Sequence, residues 1–204
     1  MTKIILASAS DRRKDILSQV GISYEVMPSS IDEDVIHADT PAALVEALSA
    51  AKAEDIAERL TKNFVIIGAD TVVVKDNSIL GKPSDEAEAA KMLQMLQGNR
   101  HEVYTGVTLI SVSPEGKGLI DTFHVRTIVD MIPMTAAQID AYIKTGEPMD
   151  KAGAYGIQGR GAAYIQDIAG DYYNVVGLPI STVLTRLALS LIHISEPTRR
   201  TPIS

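Results

Sequence analysis

One stretch of this chain restricts its folding choices more than any other: an apolar run with a single carboxylate inside it. Phe64–Ala69 is continuously apolar, Thr71–Lys75 resumes the pattern, and Asp70 stands between them in Gly68-Ala69-Asp70-Thr71. Runs of this β-branched kind read as buried strands. An ionised carboxylate within such a strand costs several kcal/mol unless it is paired or metal-bound, and Asp is poorly suited to strands. Either Asp70 is buried with a partner, or the strand breaks at Gly68 and leaves the carboxylate at a strand end facing a cleft. Both alternatives make it a candidate functional residue, because perturbed carboxylates cluster at sites; the blander reading is a cap or turn.

Strand and helix signals alternate on either side of this run. Lys3–Ala7 reads as a first strand, with Ser10 as N-cap of a helix that Gly21 closes. Ile22–Met27 reads as a second strand and Pro28–Asp39 as a polar loop. Thr40-Pro41 opens an Ala-rich helix to about Leu60. After an Asp76-Asn77 turn, Ser84 is the expected cap of a helix to Leu96, stopped by Gly98. Val103–Val112 and Leu119–Met131 flank Pro114-Glu115-Gly116 as a long hairpin. Thr135 and Gln138 form a capping box, a strand is expected near Ala162–Ile168, and Pro179 opens a last helix to about Leu191. The hairpin within the alternation predicts an α/β fold with a mixed central β-sheet flanked by helices. No linker divides the chain, so residues 1–191 are read as one domain. Residues 192–204 lack an apolar period and are set apart as a tail, either foreign to the domain or a flexible C-terminus.

Composition removes whole classes of function. The chain of 204 residues carries 19 Lys and Arg against 26 Asp and Glu, a net charge of -7. That balance disfavours a nucleic-acid coat and a polybasic membrane binder, so no nucleic-acid or membrane partner is expected. With no cysteine, thiolate metal sites, disulfides and Cys nucleophiles are excluded. No segment is apolar enough to span a bilayer or serve as a signal peptide, so a cytoplasmic location is expected. His37, His101, His124 and His193 stand apart from any catalytic motif and read as structural or surface residues.

Further clusters stand out against this background. Ser8-Ala9-Ser10-Asp11-Arg12-Arg13 joins a strand end to a helix start, where free N–H groups suit an anion. Two arginines in that turn have the wrong sign for the helix dipole and are easier to explain with an anion beside them; solvated surface arginines are the alternative. Lys52 shares an i, i+4 row with Leu44, Leu48 and Ile56, so it either snorkels outward or meets a buried anion. Asp32-Glu33-Asp34 is a solvated loop unless a metal is present. Gly81-Lys82-Pro83 lacks the rest of a P-loop and by itself is a turn. From Asp150-Lys151 through Gly153, Tyr155, Gly156, Gln158, Gly159 and Gly161, repeated glycines allow backbone to approach a ligand closely.

Taken in order, these pieces, together with Thr105-Gly106 and Val176-Gly177-Leu178-Pro179, resemble the Maf family of nucleoside triphosphate pyrophosphatases over about residues 3–191. The resemblance implies the mixed-sheet fold of house-cleaning nucleotide pyrophosphatases, with a central cleft. It implies hydrolysis between the α- and β-phosphates to a nucleoside monophosphate and pyrophosphate. It further implies a cytoplasmic homodimer dependent on Mg²⁺ or Mn²⁺, in a family named for inhibition of septum formation. Carried onto this chain, Ser8, Arg13, Lys52 and Lys82 hold phosphates. Glu33 and Asp70 hold the metal, and Asp70 takes the proton of the attacking water, with its division of labour with Glu33 open. Arg12, Thr71 and Gln158 match the subgroup acting on dTTP and UTP; the subgroup acting on 7-methyl-GTP carries Trp, Gln and Glu there. Asp11 departs from the proline usual in the family and brings a negative charge near the phosphates. The competing readings are a non-catalytic nucleotide-binding regulator of division and a phosphatase that removes the terminal phosphate.

Overall fold

The computed structural model describes residues 3–61, 63–113 and 116–195. A mixed sheet forms its centre. Its strands are β1 (Lys3–Leu6), β2 (Tyr24–Val26), β3 (Phe64–Lys75), β4 (Ser78–Leu80), β5 (Arg100–Ser113), β6 (Gly116–Met131) and β7 (Ile165–Ala169). They lie in the order β2-β1-β3-β5-β6-β7, with β4 paired to β3. β1 is parallel to both neighbours, whereas β3, β5, β6 and β7 pair antiparallel. The helices are α1 (Asp11–Gln19), α2 (Pro41–Ala57), α3 (Glu86–Leu96), α4 (Ala136–Ile143), α5 (Tyr172–Val176) and α6 (Ile180–Ser195). None of the described helices is long and apolar enough to cross a membrane.

β3 runs unbroken through Asp70, so of the two alternatives the buried, partnered carboxylate holds and the break at Gly68 does not occur. Its alternation instead divides the core. Val65, Ile67 and Ala69 pack with α1, α5 and α6, while Ile66 packs with Ala53 and Ile56 of α2 on the opposite face. Val73 joins a separate cluster with α3 and α4. The first and last of these clusters share a face of the sheet, and Thr71 of β3 and Thr105 of β5 lie in the gap between them. The pleat places Asp70 on the other face, toward α2.

α2 touches the sheet unusually closely. A Cβ on Gly68 would overlap the Ser49 carbonyl oxygen, and one on Gly106, across the ladder from Asp70, would overlap the Val45 carbonyl oxygen. The buried stripe of α2 contains Val45, Leu48, Ser49, Lys52, Ala53, Ile56 and Ala57. Lys52 therefore faces the sheet and does not snorkel.

Several boundaries differ from the sequence reading. α3 is capped by Asp85, whose carboxylate accepts from the Glu88 amide, while Ser84 instead donates to the Glu88 carboxylate. The residues from Gly159 to Tyr164 form a 3₁₀ turn, so β7 begins only at Ile165. β4 and α5 were not anticipated. α6 continues to Ser195, four residues into the segment set apart as a tail; residues 196–204 and the Pro114-Glu115 turn lie outside the described residues. The Thr135–Gln138 capping box forms as expected.

Because the obstruction at Gly106 is backbone rather than a movable side chain, Gly106→Ala is expected to destabilise the fold by about 3 kcal/mol. Urea denaturation checks this; a loss below about 1 kcal/mol contradicts the packing described.

Candidate active site

The site grows from a gap in the sheet. β1 pairs with β3 only as far as Leu6 opposite Ile67, and β4 begins only opposite Val73. Between them, one edge of β3 around Asp70 and Thr71 has no strand beside it. Side chains from both faces of the sheet can meet across this notch.

On the α2 face, Lys52 Nζ donates to Asp70 Oδ1 at 2.6 Å and lies 2.9 Å from Glu33 Oε1. Lys52 and Asp70 are 8% and 9% exposed, so this is a buried pair, with Glu33 linking it to the surface. Glu33 belongs to a short 3₁₀ turn, Glu33–Val35, capped by the Asp32 carboxylate. On the opposite face, Arg13 is equally buried and each of its three nitrogens donates one hydrogen bond. Nε donates to the Gly177 carbonyl at 2.8 Å, Nη1 to Ser8 Oγ at 3.1 Å, and Nη2 to Thr71 Oγ1 at 3.0 Å. Burial lowers the pKa of Arg13 from its ordinary value, opposed by the nearby charges of Asp70 and Glu33. Thr71 shares a further hydrogen bond with Thr105, whose hydroxyl donates to the Asn174 carbonyl. Asn174 in turn donates to Val103 O and Thr127 Oγ1, fixing α5 and hence the Gly177 carbonyl that Arg13 requires.

Over this network opens a cleft of about 710 Å³, a size suited to a small organic ligand. Arg12, Arg13, Glu33, Thr71, Lys82 and Gln158 all line it. Ser8, Lys52 and Asp70 lie beneath the lining residues and are joined to them by the bonds just described. Gly81 reaches the site because its carbonyl accepts from Gly153 N, which places the Gly81-Lys82-Pro83 turn against the glycine-rich bank. Arg12 spans the cleft to the Asp150 carboxylate and carbonyl, both at 3.3 Å. Asp150 is well exposed, and such a pair is worth less than about 1 kcal/mol, so Arg12 is readily released to a stronger anion.

Asp70 and Glu33 reach the same ammonium, so their carboxylates converge. Among the described residues no group of three or more His, Cys, Asp or Glu comes together as a metal cage. Glu33 lines the cleft and Asp70 lies just beneath it, and two such oxygen donors suit a hard divalent cation that completes its shell with water and phosphate oxygens. Sequence reasoning missed Asn174, Tyr142 and Glu147. The last two tie down the glycine-rich bank through Tyr142 Oη to Glu147 Oε1 at 2.9 Å. Nothing in Gly146-Glu147-Pro148 signals that role, because the partners are backbone amides many residues away.

A family model described as Maf-like protein matches residues 3–189. A relative in Moorella thermoacetica named dTTP/UTP pyrophosphatase is 50% identical over 191 residues, covering 93% of this chain and 95% of the relative. A protein of the same name in Bacillus thuringiensis is 47% identical over 187 residues, covering 92% and 95%. Among solved structures, a dITP/XTP pyrophosphatase of Mycobacterium abscessus gives a TM-score of 0.41 at 16% identity, over 71% of this chain and 95% of that one.

One titratable group behind the cleft has a consequence for stability. His101 of β5 is buried, with Nε2 2.7 Å from the hydroxyl of Tyr155, a cleft residue. Burial, with a smaller contribution from Lys75, lowers its pKa from 6.5 to about 4. Between those values the unfolded chain binds a proton that the folded chain does not, so this contribution is lost as pH falls from about 6.5 to about 4. The loss amounts to roughly 3 kcal/mol. In His101→Gln that component is expected to vanish, which urea titrations of both proteins across this range would reveal; parallel curves count against it.

Proposed function

The chain belongs to the Maf family, and we propose that it hydrolyses dTTP and UTP to the nucleoside monophosphate and pyrophosphate. The observation that carries this reading is the gathering of Arg13 and Lys52 with the carboxylates of Glu33 and Asp70 about one notch of the sheet, with Lys82 on the lining of the same cleft. A triphosphate brings about four negative charges and needs such a spread of cations. Arginine forks suit phosphate oxygens and lysines act as point charges. Ser8, Arg13, Lys52 and Lys82 are assigned to the phosphates.

Glu33 and Asp70 would hold Mg²⁺ or Mn²⁺, which when bound offsets phosphate charge. Water attacks the α-phosphorus, the bond to the α,β-bridging oxygen breaks, and pyrophosphate leaves. Asp70 is assigned to accept the water proton, and Lys52, 2.6 Å from it, holds that carboxylate in place. Gln158 at the mouth of the cleft is assigned to the base. Its amide offers a donor and an acceptor to the O4 and N3–H edge shared by thymine and uracil. Arg12 and Thr71 complete the specificity set of the subgroup. Homodimer formation and a cytoplasmic site of action come with the family and belong to the same proposal.

A panel of dTTP, UTP, CTP, GTP and 7-methyl-GTP with Mg²⁺ or Mn²⁺, read by product identity, tests this directly. Pyrophosphate from dTTP and UTP is expected; orthophosphate as first product, or a purine preference, overturns it. Asp70→Asn is expected to lower turnover by about a thousandfold while nucleotide binding stays measurable by calorimetry. Normal turnover in that variant removes Asp70 from the role of base.

A further inference from the structure

The glycine-rich bank is held from behind by two side chains that form one hydrogen-bonded chain. Tyr142 of α4, 3% exposed, accepts from Gly156 N at 3.1 Å and donates to Glu147 Oε1 at 2.9 Å. The same carboxylate oxygen accepts from Gly161 N at 3.0 Å, and Oε2 accepts from Arg160 N at 2.9 Å. The bonds grip the backbone on both sides of Gln158, which itself is exposed to the cleft. Ile157, between the grip and Gln158, is buried in the cluster with α1 and α6.

The backbone is shaped to admit the grip. A Cβ on Gly159 would lie 2.8 Å from Glu147 Oε2, and one on Gly161 would lie 2.5 Å from the Tyr142 hydroxyl. Burial pushes the Glu147 carboxyl up, but the Gly161 and Arg160 amides and the Tyr142 hydroxyl outweigh it and hold the group below its ordinary range. Glu147 is therefore a charged acceptor at neutral pH, and charge-assisted bonds of this kind are the stronger ones.

We propose that Tyr142 and Glu147 form a clasp that fixes how far Gln158 projects into the cleft, and so sets the enzyme's preference for a pyrimidine over the larger purine. This rests on the pyrimidine nucleotide reading given above. Both are positioning residues: they act on the base through the backbone of residues 156–161. Loosening the clasp lets that backbone retreat, which weakens the hold on a pyrimidine and makes room for a second ring.

The test compares kcat and KM for UTP and GTP in the full chain, in Tyr142→Phe and in Glu147→Gln. Each variant is expected to raise KM for UTP about tenfold, with a smaller change in kcat, and to lower the UTP-to-GTP ratio of kcat/KM about tenfold. Hydrogen exchange should quicken at residues 156–161 while β3 and β5 stay protected. The double variant should lose little more than the worse single one, since both act in one network. An unchanged ratio, or equal losses on UTP and GTP, overturns the clasp. Should Glu147→Gln fail to fold, Tyr142→Phe decides the question alone. If the unaltered protein does not release pyrophosphate from UTP, the underlying activity fails; if it does and the variants keep its ratio, only the clasp fails.

Discussion

The direct seating of α2 on the sheet is the contact from which the rest of the site follows. Gly68 and Gly106 offer no side chain beneath the helix, so the backbone carbonyls of Ser49 and Val45 occupy the space a Cβ would need. That approach brings Lys52 within 2.6 Å of Asp70. A larger residue at either position would lift the helix and separate the pair. Removing one partner of such a buried pair costs about 3 to 5 kcal/mol, so the same contact serves both the fold and the chemistry. Glu33 also reaches Lys52, which extends the pair to the cleft.

The notch in the sheet explains how an acidic protein brings buried cations to one cleft. The net charge is -7, and at long range that field opposes a triphosphate. Successive residues of β3 point to opposite faces, so Asp70 collects Lys52 from one side while Thr71 collects Arg13 from the other. Where β1 has ended and β4 has not begun, both arrangements border the same cleft. Lys52 and Arg13 are thus brought together, each held in a set position by hydrogen bonds.

Much of this was legible in the residues because it follows from periodicity. The continuous apolar run of β3, the β-rich stretch of β5, the capping box at Thr135 and the glycine stops at Gly21 and Gly98 are local signals, and they mark real elements. The oddity of Asp70 was visible, but whether its strand broke was not, since that depends on where β1 and β4 end. Lys52 lay on an apolar row, yet only the packing of α2 shows that the row faces inward. β4 is three residues long and α5 five, too short for a periodic signal. Asp85 took the cap from Ser84 because both are good caps and the Glu88 carboxylate engaged the serine. Glu147 left no trace, because its partners are amides supplied by a distant turn.

The threonine gap between the two apolar clusters sets a gauge for the cleft. The wall built on α1, α5 and α6 and the wall built on α3 and α4 are mounted on the same strands, β3 and β5. From Ala69 in one cluster to Val73 in the other the strand advances by about 3.3 Å per residue. No linker joins the walls that could swing, and inserting a residue between them would turn every following side chain to the wrong face. The spacing of the walls is thus quantised by the pleat. Within this architecture, what the cleft accepts is set by the side chains mounted along the walls, while the frame beneath keeps one width.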